Sequence, residues 1–171
     1  MGVLTNEVGA IRFAGTNAPI QNTGWSAWTT IANGVGTDAP AVTSTFGGQG
    51  SFPIQVVVRG TDGNVWETPF NSNGFTSWSL VGNQGLWGVY GTSLSAWATG
   101  CQGSTTPTYN LAIATNGVLA INRKSNNVWS GCVGIRGGVS SAPGISAYAC
   151  GTYDIVVQVA NDGAYWWDGY Q

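Results

Sequence analysis

The chain of 171 residues contains no histidine and very few charged residues. Histidine is the commonest general base and metal ligand, so serine–histidine and cysteine–histidine relays and the usual zinc sites are excluded. Charged side chains make up 7% of the sequence, against about 25% in an average soluble protein. With five basic residues and a net charge of −2, the chain lacks the positive patch that binds nucleic acid or anionic lipid.

Long apolar runs and helical periodicity are missing too. No segment approaches the roughly 18 apolar residues of a membrane span, and residues 1–13 have neither the basic start nor the apolar stretch of a signal peptide. We expect no membrane insertion. Location stays open, with secretion suspected through a removed signal or another route. Apolar residues alternate with period two between frequent glycines and prolines, which predicts an all-β fold.

Three cysteines occur, Cys101, Cys132 and Cys150. An odd number leaves at least one thiol unpaired within the chain. Whether two of them form a disulfide or all three are small core residues stays open. Because no Cys-x-x-Cys pair exists, the sequence predicts neither a metal site nor a cofactor.

A segment of about fifty residues recurs along the chain, which is typical of blade or solenoid architectures. Its hairpin turns are predicted at Thr61-Asp62-Gly63, Thr115-Asn116-Gly117 and Asn161-Asp162-Gly163, as type I′ turns. Thr5-Asn6-Glu7 is interpreted as a degraded fourth turn. A small-residue inner strand precedes each of the three full turns, at 38–42, 91–96 and 141–146. Aromatic outer strands are predicted at 24–28, 74–78 and 128–132.

Four strands per repeat predict a β-propeller with about three blades per chain. The chain forms one domain with approximate units 1–37, 38–90, 91–140 and 141–171. Counted by phase, it supplies the last two strands of one blade, two full blades and the first three strands of another. Since open strand edges invite pairing, we expect a homodimer that completes a six-bladed ring, the outer N-terminal strand of one chain finishing the C-terminal blade of the other. The alternative fold is a β-trefoil.

Catalysis is not expected. A glycosidase needs two carboxyl groups about 5–10 Å apart, and only Glu67, Asp154 or Asp168 could converge across neighbouring units. Asp62 and Asp162 are explained by turn chemistry. A glycosidase therefore ranks below a binding protein.

Aromatic side chains are abundant, with nine tryptophans, six tyrosines and five phenylalanines. Trp28 and Trp78, at a repeated phase, are expected in the core between blades. Trp87 and Tyr90 break the repeat, and the adjacent Trp166 and Trp167 face opposite sides of one strand, so one of them should meet solvent or a ligand. Aromatic faces bind the apolar side of sugar rings. The candidate sugar-binding residues are Trp25, Trp66, Glu67, Trp87, Tyr90, Trp129, Trp166, Trp167 and Asp168.

The stretch Val58-Arg-Gly-Thr-Asp-Gly-Asn-Val-Trp66, followed by Gly74-Phe-Thr-Ser-Trp78, resembles the blades of bacterial β-propeller lectins of the PLL type, most strongly over residues 38–82. Those lectins bind fucose and related sugars between blades, so the resemblance implies a multivalent, non-catalytic carbohydrate binder. The segment 155–169 is similar to blades of the six-bladed fucose-binding lectins. Their sugar-holding Arg and Glu are replaced here by Val156 and Ala164, which leaves the sugar open between fucose and another neutral sugar. The alternative function is a structural or protein-interaction propeller of a virion or appendage.

Overall fold

The structure is a computed structural model that describes residues 2–7, 10–15, 26–44, 54–71, 74–82, 89–96, 108–115, 117–138, 140–147, 154–159 and 162–170. All the regular secondary structure within these ranges is β-strand. The prediction of an all-β fold is therefore confirmed. None of the described residues forms a helix long and apolar enough to span a membrane.

The first two sheets are antiparallel and follow the chain order. The first sheet has the order β1-β2-β3, formed by β1 (Gly2–Glu7), β2 (Ala10–Gly15) and β3 (Thr29–Val35). In the second sheet, β7 and β8 both pair with β6, so the outer position is shared by two short strands. Its strands are β4 (Ala41–Ser44), β5 (Ile54–Arg59), β6 (Val65–Asn71), β7 (Gly74–Phe75) and β8 (Ser79–Leu80).

The third sheet repeats this arrangement, and the fourth has three strands. The third sheet consists of β9 (Val89–Ala96), β10 (Tyr109–Thr115), β11 (Val118–Ser125), β12 (Val128–Trp129) and β13 (Val133–Gly137), and β12 and β13 both pair with β11. The fourth sheet consists of β14 (Gly144–Ala147), β15 (Asp154–Val159) and β16 (Tyr165–Tyr170). Strand β9 lies beside both β4 and β14. The inner strands of three successive sheets are therefore neighbours, as in a propeller.

The apolar core lies in the gaps between successive sheets, because adjacent residues of a strand face opposite sides. In the first gap, between the first and second sheets, Val58 packs with Ile11 and Ile31. Val57, on the other face of β5, packs with Leu111 across the second gap, between the second and third sheets. The third gap, between the third and fourth sheets, is filled by the cluster of Ala112, Leu119 and Ile121 with Ile135 and Ile145.

The N-terminal sheet has more strands than the sequence predicted. Thr5-Asn6-Glu7, expected as a turn, lies in β1, which pairs with β2 from Gly2↔Gly15 to Glu7↔Ala10. The turn falls instead between Glu7 and Ala10. The repeat was misplaced by about three residues because Asn in an alternating strand has the same composition signal as Asn in a turn.

One predicted turn has a different type, and a type I′ turn occurs where none was predicted. Gly63 N–H donates to the Gly60 carbonyl at 3.0 Å, and only Gly63 of the loop has a positive φ, at 78°. This is a type I turn followed by a left-handed glycine, as three-residue hairpin loops favour. The two-residue loop between Ser125 and Val128 is the type I′ turn, with φ of 51° at Asn126 and 63° at Asn127.

Trp28 was expected in the core, but it is 49% exposed. The equivalent Trp78 packs against the first-gap cluster. The difference follows from position: Trp78 faces the preceding sheet, whereas no described strand packs on the corresponding face of the first sheet.

Candidate functional site

An open cleft of about 520 Å³ lies where the first gap opens at the surface. Strand β3 forms one wall, and β5, β6 and the segment 75–78 form the other. Its lining residues are Ala32, Asn33, Val35, Val58, Trp66, Phe75, Thr76, Ser77 and Trp78.

Trp66 is held by the turn that precedes it. Its indole Nε1 donates to both carboxylate oxygens of Asp62, at 3.2 and 3.1 Å. Gly60 lies directly beneath this pair, since a Cβ there would meet Asp62 Oδ1 at 2.6 Å and Trp66 Cδ1 at 2.8 Å. The indole therefore lies over the turn in a fixed orientation, with part of its surface in the cleft.

Trp78 crosses from the second sheet to the first. Its indole Nε1 donates to the Ala32 carbonyl at 3.0 Å, and its ring lies so close to Gly34 that a Cβ there would be 2.9 Å from Cζ2. The absence of a side chain at Gly34 is what lets the ring approach β3.

Phe75 joins the cleft to the packed interior. Its ring lies 5.3 Å from the ring of Phe13 and 4.8 Å from that of Phe70, both in edge-on geometries that aromatic pairs favour. The cleft thus has aromatic walls whose positions are set by hydrogen bonds and ring contacts.

The rest of the described lining is uncharged: Asn33, Thr76 and Ser77 are polar, and Ala32, Val35 and Val58 are apolar. Asn33 is exposed and has a φ of 58°, a left-handed conformation that Asn tolerates better than most residues. Thr76 and Ser77 are exposed, and the Thr76 carbonyl accepts a bond from Thr68 Oγ1 at 2.9 Å. None of the described lining residues is ionisable, so hydroxyl and amide groups are the polar recognition groups that they offer.

The nearest carboxylates are already engaged. The side-chain donor of Asn64 lowers the pKa of Asp62 below 3.8, the effect of burial opposes this, and the Asn64 N–H and Trp66 indole add to the lowering. Asp38 pairs with Arg59, with an Nε to Oδ2 distance of 2.7 Å.

Glu67 lies not in the cleft but inside the second gap. It is 5% exposed, and Lys124 Nζ donates to both of its oxygens at 2.9 Å. Gln55 Nε2 adds a bond at 2.7 Å. The Lys124 ammonium lies 5.7 Å from the Trp129 ring centre and 6.0 Å from that of Tyr109. Glu67 and Trp129 are thus brought together around a lysine of the same chain.

Other predicted site residues are placed only by strand register or not at all. Trp166, Trp167 and Asp168 lie on β16 opposite Gln158, Val157 and Val156. Tyr90 lies on β9. Trp25 and Trp87 are outside the described residues, as are Cys101 and Cys150.

Cys132 has a free, half-buried thiol. Within the described residues no cluster of His, Cys, Asp or Glu could hold a metal ion.

The sequence-based candidates omit five polar or aromatic residues of the cleft: Asn33, Phe75, Thr76, Ser77 and Trp78. Trp78 was assigned to the core because it recurs at the phase of Trp28. The two polar residues 76 and 77 looked like ordinary turn residues. A usable signal was the Asn33-Gly34 pair, because an Asn before a Gly within an otherwise apolar strand marks a local departure from regular pairing.

No family model matches the chain, and no curated protein sequence matches it. Among solved structures it is similar to two complexes of one mutant of Aleuria aurantia lectin. One, in complex with Fucα1-6GlcNAc, is 17% identical with a TM-score of 0.56, covering 99% of this chain and 56% of the lectin. Another, in complex with α-methyl-L-fucoside, is 17% identical with a TM-score of 0.57, covering 99% and 55%.

At this level of identity the similarity concerns the fold. Together with the four antiparallel sheets and their neighbouring inner strands, it gives the chain a β-propeller fold, and the β-trefoil alternative is set aside. The chain spans just over half the length of the lectin chains it matches. The narrower resemblance to the PLL type stays a prediction.

Proposed function

We propose that the chain is a non-catalytic carbohydrate-binding protein and that the first-gap cleft is a sugar site. The observation that carries this proposal is the pairing of two fixed indoles, Trp66 and Trp78, with exposed amide and hydroxyl groups in a described lining that has no charged residue. An indole face packs against the apolar C–H side of a pyranose, while amides and hydroxyls bind its hydroxyl groups. The fold similarity to a lectin crystallised with fucosides supports the same class of ligand.

The lining also bears on which sugars fit. A site without an ionisable side chain gives nothing to offset the desolvation of a sialic or uronic acid carboxylate. A neutral sugar with one continuous apolar face, fucose among them, is therefore the expected ligand. The sequence-based candidates Trp166, Trp167 and Asp168 would belong to a further site in the fourth sheet, so that the protein binds several sugars weakly and gains by avidity.

The experiment is a glycan array followed by calorimetric titration with α-methyl-L-fucoside or with whichever neutral sugar the array selects. Trp66→Ala and Trp78→Ala should each weaken binding at least tenfold, since each removes an aromatic wall. The matched control is Val128→Ala, which removes a 68% exposed apolar side chain on β12 of the third sheet that is not part of the cleft lining. A folded protein that binds no sugar on the array would refute the proposal and leave the interaction-propeller alternative.

We also propose that a second copy completes the ring. Two exposed residues support this. The second position after the hairpin-turn glycine is buried in three sheets, as Ile11, Val65 and Leu119, whereas in the fourth it is Tyr165, which is 79% exposed. At the other end of the chain Trp28 is half exposed. A partner sheet on each of these faces would cover both residues.

This assembly is tested by molar mass in solution. The expected value is about twice the 17.7 kDa of one chain, and Tyr165→Asp should lower it by placing a charge on the covered face. A folded monomer at micromolar concentration would contradict the assembly without touching the sugar site.

A further inference from the structure

The residue before the turn glycine and the third residue after it change together among the four repeats. Where the first is Asp, the second is Trp, as in Asp62 with Trp66 and Asp162 with Trp166. Where the first is not Asp, the tryptophan is missing. The other two pairs are Val8 with Arg12 and Asn116 with Ala120. Turn formation alone does not require this, because Asn suits a hairpin turn as well as Asp does.

The contacts of Asp62 exceed what its turn needs. The turn uses one bond, from Asn64 N–H to Oδ1 at 3.0 Å, and Asp162 makes the same bond to Ala164 N–H at 2.9 Å. Asp62 accepts in addition from Asn64 Nδ2 at 3.0 Å and from Trp66 Nε1 at 3.1 and 3.2 Å. Both of its oxygens are therefore required, one for the backbone and the indole and the other for the amide and the indole.

Among the described residues, the Trp66 indole N–H donates to the Asp62 carboxylate. It lies at a rim where it is only partly buried, so without Asp62 its N–H would turn to water and the ring could leave the cleft wall. Gly60 leaves the space in which the ring lies against the turn. Hydrogen bonds to an ionised acceptor are roughly twice as strong as neutral ones, which suits a carboxylate to fixing an exposed ring.

We infer that Asp62 is a positioning residue for ligand binding. It holds the Trp66 indole in the cleft wall. The inference rests on the proposed function for its ligand but on the structure alone for the Asp62–Trp66 contact. The Asp-Gly-x-x-Trp unit then marks the repeats that carry a binding tryptophan, and the fourth sheet has the second unit, Asp162 with Trp166.

The test is a cycle of four proteins: wild type, Asp62→Asn, Trp66→Phe and the double variant. Asn keeps an acceptor for the Asn64 N–H, so the turn is retained, but it cannot offer two carboxylate oxygens. Phe keeps an aromatic face and lacks the indole N–H. Asp62→Asn should weaken binding of the array-selected neutral sugar by roughly three- to tenfold, the loss expected when one side chain must be ordered on binding. In the Trp66→Phe background the same change should alter affinity less than about twofold.

A measurement without sugar separates this inference from the proposed function. Asp62→Asn should change the near-ultraviolet circular dichroism in the indole region, and that change should vanish in the Trp66→Phe background. Asn64→Ala is the matched control, since it removes another bond to Asp62 and leaves the indole bond in place. It should bind sugar within about twofold of wild type. Thermal unfolding of each variant verifies that it is folded.

The outcomes are distinct. Equal effects of Asp62→Asn in both backgrounds, on affinity or on the spectrum, would overturn the positioning role. A second outcome is that wild type binds no sugar while the spectral change caused by Asp62→Asn still depends on Trp66. That result would refute the sugar site and support only the contact between Asp62 and Trp66. Loss of affinity with no spectral coupling would mean that Asp62 touches the ligand itself, and would overturn the inference.

Discussion

Lys124 on β11 donates to both carboxylate oxygens of Glu67 on β6 at 2.9 Å, across the second gap. The equivalent positions in the first gap, four and seven residues after the turn glycine, are Phe13 and Phe70, whose rings lie 5.4 Å apart. The same place in the propeller is thus filled by an ion pair in one gap and by an aromatic pair in the next. An apolar pair is therefore compatible with the backbone at this place.

This comparison predicts how the ion pair contributes to stability. Lys124→Met leaves the Glu67 carboxylate buried with only neutral donors, and should lower the free energy of unfolding by about 3–5 kcal/mol. The double variant Glu67→Met/Lys124→Met removes both charges and should recover most of this, leaving a loss of about 1–2 kcal/mol because Gln55 loses its acceptor. Urea unfolding measures both. A double variant no more stable than the single would contradict the prediction.

A second prediction concerns the packing of the first gap. Gly36 is buried, and a Cβ there would meet Val58 Cγ2 at 2.4 Å and Ile11 Cδ1 at 3.0 Å. Because both contacts are core side chains, Gly36→Ala should force the two sheets apart and cost about 1–3 kcal/mol. Thermal and urea unfolding measure the loss.

The matched control is Gly137→Ala at the exposed end of β13, where the nearest atom is a carbonyl oxygen at 4.0 Å. Its effect should be within about 0.5 kcal/mol. Equal stability of the two alanine variants would contradict the prediction. It would mean that the side chains of the first gap, and the cleft walls that they support, are packed less tightly than in the structure.

The sequence was sufficient for the fold because blade strands carry local signals. Alternation and turn glycines locate β5, β6, β10 and β11 within a few residues, since each hairpin contains its own register. The N-terminal turn was misplaced because nothing local distinguishes Asn6 in a strand from Asn in a loop. The turn type at Asp62 depends on whether the hairpin loop has two or three residues, and the sequence does not distinguish these two lengths.

The site was only partly predictable, for a different reason. Trp66 was predicted because an aromatic side chain is a candidate sugar-binding group by its residue type alone. Which gap a side chain faces depends on strand parity, so Glu67, one residue further along, lies in another gap with Lys124 as its partner. A contact 57 residues apart in the chain carries no local signal. Likewise Trp28 and Trp78 have the same phase, and only the presence of a neighbouring sheet lets Trp78 pack against the first-gap cluster.

A third prediction concerns the loop at Asn126 and Asn127, which both have positive φ. Glycine adopts this conformation without steric cost, so Asn127→Gly should stabilise the protein by about 0.5 kcal/mol. Asn127→Val, with a β-branched side chain in a left-handed conformation, should cost about 1–2 kcal/mol. The two midpoints of thermal unfolding should lie on opposite sides of the wild-type value. Destabilisation by both substitutions would show that the asparagine side chains, not the backbone conformation, stabilise the turn.

The last prediction concerns the pH dependence of stability through Cys132. Burial raises the pKa of this thiol above 9.0, and a hydrogen bond with the Asn122 side chain partly opposes the rise. In the unfolded chain the thiol ionises first as the pH rises, so its contribution to stability is complete below about pH 9 and is lost as the pH approaches the higher folded-state value.

Wild type and Cys132→Ala should therefore differ by a constant in melting temperature between pH 6 and 8, and wild type should lose stability relative to the variant above about pH 9. Every other ionisable group is common to the two proteins, so its contribution cancels in the difference. Parallel curves up to about pH 10.5 would mean that the thiol is as accessible to hydroxide as in the unfolded chain, and would place Cys132 outside the packed second gap.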